Sequence, residues 1–271
     1  MCGVENAALF EATRPDLFEP SEFTRGPWRP DAQHGGPPSA LLGHATLRVV
    51  EEDEHVAHIE VELVRPVPLA TIRTATRREN VSGRVHRVLA ELWAADELVA
   101  RSNALVLRTS DLIEPEWVAP ERQAPGIPSD DAVADPPRWA SGDLTTYHRN
   151  AMEHRFTAGT FREPGPAVDW QRLRMPVIAG RNSAGLERVL ASADFGSGIS
   201  AIYSATSTHG LINANLSVSL LRYPEGEWIS IDATTTASSS GTGLCVTRLG
   251  DLGGEVGVAT QSLLAYRVRG R

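Results

Sequence analysis

Cysteine is almost absent from this chain of 271 residues, which contains only Cys2 and Cys245. Two cysteines so far apart in sequence cannot form a disulfide framework or a cysteine-rich zinc site. The eight histidines are scattered and include no H-E-x-x-H pair, so we expect no metal site. Because structural disulfides are typical of oxidising compartments, this composition favours a cytoplasmic protein.

Long apolar runs and clusters of positive charge are also missing. No segment approaches the roughly 18 apolar residues that a membrane span needs, and the first residues lack the basic and apolar regions of a signal peptide. The 26 basic and 34 acidic residues give a net charge of −8, without a run of Lys or Arg. This balance argues against nucleic acids and membranes as partners and favours a small-molecule substrate.

The motifs of several large enzyme classes do not occur. The sequence has no G-x-S-x-G, no G-x-G-x-x-G between a strand and a helix, and no G-x-x-x-x-G-K-[ST]. These absences argue against a serine hydrolase, a dinucleotide-binding enzyme and a nucleotide triphosphatase. The hydrophobic fraction of 41% nevertheless supports a sizeable folded core.

The most informative feature that is present is an internal repeat. Residues 56–66 alternate apolar and polar side chains and end in Arg-Pro, and residues 215–224 repeat this pattern, with Arg222 in the place of Arg65. Alternation with a period of two is typical of a half-buried strand. Aligning Arg108 with Arg267 gives nearly the same offset, so the chain is predicted to contain two similar halves.

Each half is predicted to consist of one helix followed by antiparallel strands. The helices are predicted at 39–52, after Pro37 and Pro38, and at 185–195, before Gly196. Further strands are predicted in segments bounded by turn residues: 71–78, 85–95 and 98–107 in the first half, and 228–237, 243–249 and 256–268 in the second.

A proline-rich stretch without a sustained period separates the halves. It runs from about residue 111 to residue 138 and is interpreted as a surface linker. The predicted organisation is therefore an N-terminal unit at 1–110, a linker at 111–145 and a C-terminal unit at 146–271.

A helix crossed by a curved antiparallel sheet is the hotdog arrangement. Five strings occur along the chain in a specific order and spacing: W-R-P-D-A-Q-H-G-G-P-P-S-A-L-L from Trp28, V-E-L-V-R-P, A-S-A-D-F-G-S-G-I-S, G-E-W and A-T-Q-S-L-L. They carry a resemblance to the acyl-CoA thioesterase II family, and this resemblance covers nearly the whole length of the chain. It implies an α+β double hotdog, in which two units each wrap a sheet around a long helix.

The resemblance also implies the position of a hydrolytic water. Members of the family place an Asp, a Ser or Thr, and a Gln around it, and counting along the sequence carries these roles onto Asn215, Thr236 and Gln261. Asn215 departs from the pattern, because an amide can position a water but cannot accept its proton. Weak hydrolysis and loss of hydrolysis are both compatible with this change. On turn chemistry alone, Asn215 could instead cap a strand end.

Two further features could contact the substrate. His34, Gly35 and Gly36 precede the first helix, whose N-terminus favours developing negative charge, although the same residues also suit a tight turn. Asp194 ends the second helix and is an alternative base, because other hotdog thioesterases resemble this chain in having a carboxylate on the central helix. A local bond from Asp194 to the turn at Gly196 is the structural alternative.

The sequence therefore predicts a thioesterase that hydrolyses acyl-CoA to a free acid and CoA, without a cofactor. One alternative is an acyl-CoA or acyl-carrier binding protein that has lost hydrolysis. A hotdog dehydratase is less favoured, because its D-x-N-P-x-H pattern is absent. Hotdog sheets commonly pair edge to edge, so a homo-oligomer is also compatible with the sequence.

Overall fold

The structure is a computed structural model that describes residues 7–110, 126–137, 142–204 and 207–267. Strands and two main helices dominate it. The elements in chain order are β1 (Phe10–Arg14), β2 (Leu17–Pro20), α1 (Gly36–Leu47), β3 (Glu54–Glu62), β4 (Ile72–Asn80), β5 (Val85–Ala94), β6 (Glu97–Arg108), β7 (Met152–Ala158), β8 (Ala167–Leu173), α2 (Gly185–Ala193), α3 (Gly196–Ile199), β9 (His209–Asn213), β10 (Asn215–Leu220), β11 (Trp228–Ala237), β12 (Thr242–Asp251) and β13 (Gly254–Arg267).

The thirteen strands of the described residues form one antiparallel sheet, in the order β1-β2-β4-β5-β6-β3-β10-β13-β12-β11-β8-β7, with β9 paired to β13. The two halves of this order mirror each other about the β3–β10 seam, where Val218 lies opposite Ile59. The repeat in the sequence therefore appears as two strand sets that meet side by side.

The two main helices pack against each other on one face of the sheet, here called the inner face. Strand residues on this face are apolar and buried, including Ile59, Val61 and Val218, and each such side chain contributes about 1.5–3 kcal/mol by burial. Gly43 of α1 allows the helices to approach closely, since a methyl group there would lie 2.6 Å from Cδ1 of Leu190.

The predicted strands after each helix are present, with ends that differ by a few residues. Helix α1 begins and ends earlier than predicted, because Pro37 and Pro38 form its first turn. The β1–β2 hairpin was missed, since β1 is only five residues long and buries only Phe10. Of the predicted linker, residues 111–125 and 138–141 lie outside the described residues.

Among the helices of the described residues, none has the length and apolar character that a membrane crossing requires.

Candidate active site

The first part of the candidate site is the N-terminus of α1. The His34 amide is fixed by a 2.8 Å bond to the Thr24 carbonyl, and Gly35 has a helical backbone with φ of −67° and ψ of −27°. Pro37 and Pro38 carry no N–H group, so the amides of Gly35 and Gly36 supply the donors at this helix end. The helix dipole makes this position favourable for negative charge.

The carboxylate of Asp194, which follows α2, lies directly against this helix end. Its Oδ2 is 3.0 Å from Nδ1 of His34, and its Oδ1 accepts a 2.9 Å hydrogen bond from Nδ2 of Asn213. A methyl group at Gly35 would lie only 2.7 Å from Oδ2. The side chain of Asp194 is 6% exposed, so these contacts hold a buried carboxylate in one place.

Gln261 supports the backbone beneath Asp194. Its Nε2 donates to the Asp194 carbonyl at 3.1 Å, and its Oε1 accepts from the Ser197 amide at 2.8 Å. Gln261 lies on the inner face of β13 and is buried. It is aligned across the sheet with Cys245 and Thr235, so the amide fixes the turn between α2 and α3 against these strands.

The structure does not bring Asn215, Thr236 and Gln261 together around one position. Gln261 lies on the inner face of the sheet, whereas Asn215 and Thr236 lie on the opposite face, here called the outer face. Asn215 points to the outer face, where its Nδ2 donates to Glu60 at 3.1 Å and its Oδ1 accepts from the Ser262 amide. Thr236 is exposed on the same outer face. Thr235, its neighbour, is the one that faces inward, since its Oγ1 lies 2.7 Å from Oγ of the buried Ser200.

A bulge explains the misplacement of the predicted asparagine. Asn213 pairs with Leu263, whereas Ser217 pairs with Thr260, so the β9–β10 segment has one residue more than β13 over this stretch. One extra residue reverses which side chains face inward. Counting back from Arg222 therefore selects Asn215, although Asn213 is the asparagine that reaches Asp194.

Asn215 instead lines a cleft of about 500 Å³ on the outer face. The cleft lies at the end of the β3–β10 seam and is bordered by acidic, basic and aliphatic side chains: Glu60, Glu62, Leu63, Val64, Leu98 and Arg101.

Aromatic side chains enclose the pair of His34 and Asp194. The ring of Phe195 stacks on His34 with a centroid distance of 4.7 Å, and Tyr147 lies 5.1 Å from the same ring. The Tyr147 hydroxyl donates to the Ala191 carbonyl. Burial, together with the Asp194 charge, raises the pKa of Tyr147 well above its usual value, so the phenol stays protonated and serves as a fixed wall.

His34 has two competing contacts at Nδ1. The Gly36 amide lies 3.2 Å from this nitrogen, and the Asp194 carboxylate is 3.0 Å away. A single ring nitrogen cannot both accept from the amide and donate to the carboxylate. When Nδ1 carries the proton and donates to Asp194, the Gly36 N–H is available to another acceptor, such as a carbonyl oxygen.

The predicted contact residues His34, Gly35, Gly36 and Asp194 are thus brought together, and the Asp194 carboxylate contacts His34 and Asn213. Sequence reasoning missed Asn213, Tyr147 and Thr235. The I-N-A-N string contains two asparagines that lie two residues apart, and an unbroken strand would place both on the same face, so strand parity alone cannot distinguish them. Within the described ranges, no three His, Cys, Asp or Glu side chains are grouped in a way that could hold a metal ion.

Comparison with known proteins gives matches to both halves. The chain matches the family model for the acyl-CoA thioesterase N-terminal domain at residues 24–107 and that for the acyl-CoA thioesterase C-terminal domain at residues 119–265. No curated protein sequence matches the chain significantly.

Solved structures resemble the chain over nearly its full length. A thioesterase II candidate from Thermobifida fusca YX has a TM-score of 0.70 at 17% identity and covers 97% of this chain and 95% of its own. The acyl-CoA thioesterase II TesB2 from Mycobacterium marinum has a TM-score of 0.62 at 14% identity, covering 97% and 96%. A hot dog fold protein of unknown function from Alicyclobacillus acidocaldarius has a TM-score of 0.65 at 14% identity, covering 96% of each chain.

At these identities the structural likeness establishes a shared fold and nothing finer. The family matches support a stronger conclusion than the structural likeness, because together they span most of the sequence and include the strands and helix ends that form the site. The chain therefore belongs to the acyl-CoA thioesterase family.

Proposed function

We propose that the protein hydrolyses acyl-CoA thioesters at the α1 N-terminus, with Asp194 as the general base. One observation carries this proposal: the buried Asp194 carboxylate lies against Gly35, beside amides that can stabilise an oxyanion. A carboxylate and N–H donors within one small volume are what water attack on a carbonyl requires. Family membership supports the choice of a thioester as substrate.

The proposed reaction uses water as the nucleophile. Asp194 accepts a proton as the water oxygen bonds to the thioester carbon, and the Gly36 amide donates to the carbonyl oxygen as it becomes negative. The tetrahedral intermediate then expels the CoA thiolate, which takes up the proton from Asp194 and leaves the free acid. His34 and Asn213 orient the carboxylate, and Gln261 holds its backbone.

This proposal revises the water site expected from the family pattern. The residue in the position of the family carboxylate is an amide, and the side chain that carries negative charge here comes from the end of α2. Asn213 binds the Asp194 carboxylate and Gln261 binds the Asp194 backbone carbonyl, so we propose this arrangement in place of the predicted Asn215, Thr236 and Gln261 group.

The decisive experiment replaces Asp194 by Asn and measures thiol release from medium-chain acyl-CoAs. Because a general base typically contributes about 10²- to 10⁴-fold, we expect kcat to fall by at least about a hundredfold while substrate binding persists. Asn215→Ala and Thr236→Ala are matched controls on the outer face and should retain turnover. Full activity in Asp194→Asn would reject Asp194 as the base.

One observation favours a second candidate, an acyl-CoA binding protein without hydrolysis. Both oxygens of Asp194 already contact His34 or Asn213, which leaves the carboxylate less able to accept a proton. Calorimetric titration with a nonhydrolysable acyl-CoA, beside the thiol-release assay, separates the two candidates. Binding without any release by the unaltered protein would favour the second.

The same proposal includes the organisation of the chain. The mirrored strand sets, each with one main helix, support two hotdog units at 1–110 and 146–271 that are joined by the linker at 111–145. The surroundings of the helix N-terminus differ between the two units. A methyl group at Gly185, the start of α2, would meet Tyr223 and Pro224, whereas Gly35 faces a carboxylate. We therefore propose one hydrolytic site per chain.

A further inference from the structure

A second group of polar side chains is buried on the inner face of β7 and β8. His154, Asp169 and Gln171 are each no more than 1% exposed. Nδ1 of His154 lies 2.6 Å from Oδ2 of Asp169, and Nε2 of Gln171 donates to the same oxygen at 2.9 Å. The carboxylate thereby fixes the orientation of both neighbouring side chains.

Three atoms of this group have no hydrogen-bond partner among the described residues: Nε2 of His154, Oδ1 of Asp169 and Oε1 of Gln171. Buried polar atoms in folded proteins are nearly always paired, so each unpaired atom indicates a missing partner. The Asp169 and Gln171 atoms can only accept hydrogen bonds. With Nδ1–H donating to Asp169, Nε2 of His154 is also an acceptor, and the missing partner must therefore be a donor.

The group adjoins the candidate active site through a single aromatic ring. Phe195 stacks on His34 and also meets the His154 ring nearly at right angles, with a centroid distance of 4.9 Å. Phe161 contacts the His154 ring in the same manner and packs on Phe156. The three aromatic rings surround the polar group with apolar surface, and Phe195 contacts both the His154 imidazole and the His34 imidazole of the proposed reaction centre.

We propose that His154, Asp169 and Gln171 bind the hydroxyl group of a hydroxylated acyl chain, with a water molecule on the same acceptors when substrate is absent. An O–H group donates its one proton to one of these acceptors, whereas a plain hydrocarbon chain leaves all of them unpaired. The protein therefore prefers hydroxyacyl thioesters over unsubstituted ones. The acyl part of this inference rests on the proposed thioesterase function.

The test compares kcat/KM for medium-chain acyl-CoAs that carry a hydroxyl at carbon 3 or at the chain end with that for unsubstituted chains of equal length. A site built to bind a hydroxyl discriminates strongly against analogues that lack it, so we expect at least a tenfold preference for one hydroxylated substrate. Gln171→Leu removes one acceptor and leaves the contact between His154 and Asp169 intact. It should reduce the preference for the hydroxylated substrate severalfold.

Ser102→Ala is the matched control, because Ser102 is also buried with an unpaired side-chain oxygen but lies on β6. It should keep the full preference. Equal kcat/KM for hydroxylated and unsubstituted substrates in the unaltered protein would overturn the proposal, as would a preference that Gln171→Leu leaves unchanged. A high-resolution crystal structure with water on these acceptors, but no hydroxyl preference, would assign the group to water alone and also overturn it.

Failure of the thioesterase proposal can be recognised separately. If the protein releases no thiol from any acyl-CoA, calorimetric affinities for paired nonhydrolysable hydroxyacyl- and acyl-CoA analogues test the hydroxyl site without hydrolysis. Tighter binding of the hydroxylated analogue, weakened by Gln171→Leu, would support the site. Equal affinities would overturn it.

Discussion

At the scale of single residues, the proposed site depends on glycine at position 35. The backbone there is helical, so glycine is not needed for its conformational freedom. It is needed for space, because the Asp194 carboxylate lies where a side chain would begin. The pairing of a helix end with a buried carboxylate is thus made possible by the absence of one carbon atom.

Gly35→Ala should therefore act through the site rather than through folding. Its methyl group would lie 2.7 Å and 2.8 Å from the two carboxylate oxygens, so Asp194 must shift away from His34. Since small misplacements of catalytic groups cost up to about a hundredfold, we expect kcat to fall at least tenfold in thiol-release assays.

Gly83→Ala is the control, since a methyl group at Gly83 meets nothing within 4 Å. It should leave kcat unchanged. Normal turnover in a folded Gly35→Ala protein would contradict the role given to this contact.

At the scale of elements, Glu187 couples the two main helices. Its Oε2 accepts from the Ala184 amide at the start of α2, and its Oε1 lies 2.8 Å from Nδ1 of His44 on α1. The side chain therefore satisfies a free helix N–H and a buried imidazole together. Any loss of Glu187 leaves both donors buried without their acceptor.

Glu187→Ala should lower the free energy of unfolding by about 1–3 kcal/mol for the unpaired buried groups. Urea unfolding monitored by circular dichroism measures this change. Glu52→Ala, at an exposed position, should change stability by less than about 0.5 kcal/mol. Equal stability of the two variants would show that the Glu187 contacts contribute little to helix docking.

At the scale of the whole molecule, folding buries ionisable groups whose pKa values then depart from those of the unfolded chain. His148, in the turn Tyr147–Ala151 before β7, is 1% exposed, and burial lowers its pKa from 6.5 to about 3. Glu54 differs, because its ion pair with Arg78 lowers its pKa from 4.5 to about 2. The two groups therefore affect stability in different pH ranges.

We expect the protein to lose stability between pH 7 and pH 5 because of His148. The unfolded chain binds a proton below pH 6.5 that the folded chain does not bind until about pH 3. Stability is therefore complete above pH 6.5 and declines as the pH falls, by up to about 1.4 kcal/mol per pH unit. Glu54 adds its own loss only below its unfolded pKa of 4.5.

Urea unfolding at pH 7 and pH 5 provides the measurement, with His148→Gln as the comparison. The amide side chain of this variant can still donate toward the Pro137 carbonyl that His148 contacts, but it does not titrate. The loss of stability between the two pH values should be smaller in this variant than in the unaltered protein. An identical loss would exclude His148 as a source of the pH dependence.

The sequence by itself determined the features that depend on local pattern. Alternating side chains located the strands after each helix, because strand periodicity depends only on consecutive residues, and the recurrence of Arg65 as Arg222 predicted two similar halves. It also supplied His34, Gly35, Gly36 and Asp194 as candidates. Short elements such as β1 and β9 escaped detection, since too few residues carry their pattern.

Only the tertiary structure decided which of these residues meet. Gly35 and Asp194 are far apart in the chain and come into contact because α1 and α2 pack closely. The bulge between Asn213 and Ser217 decided which asparagine faces inward, and it depends on the pairing with β13. Side-chain direction along a strand reverses with each residue, so a single extra residue places Asn215 outside and Asn213 at the site.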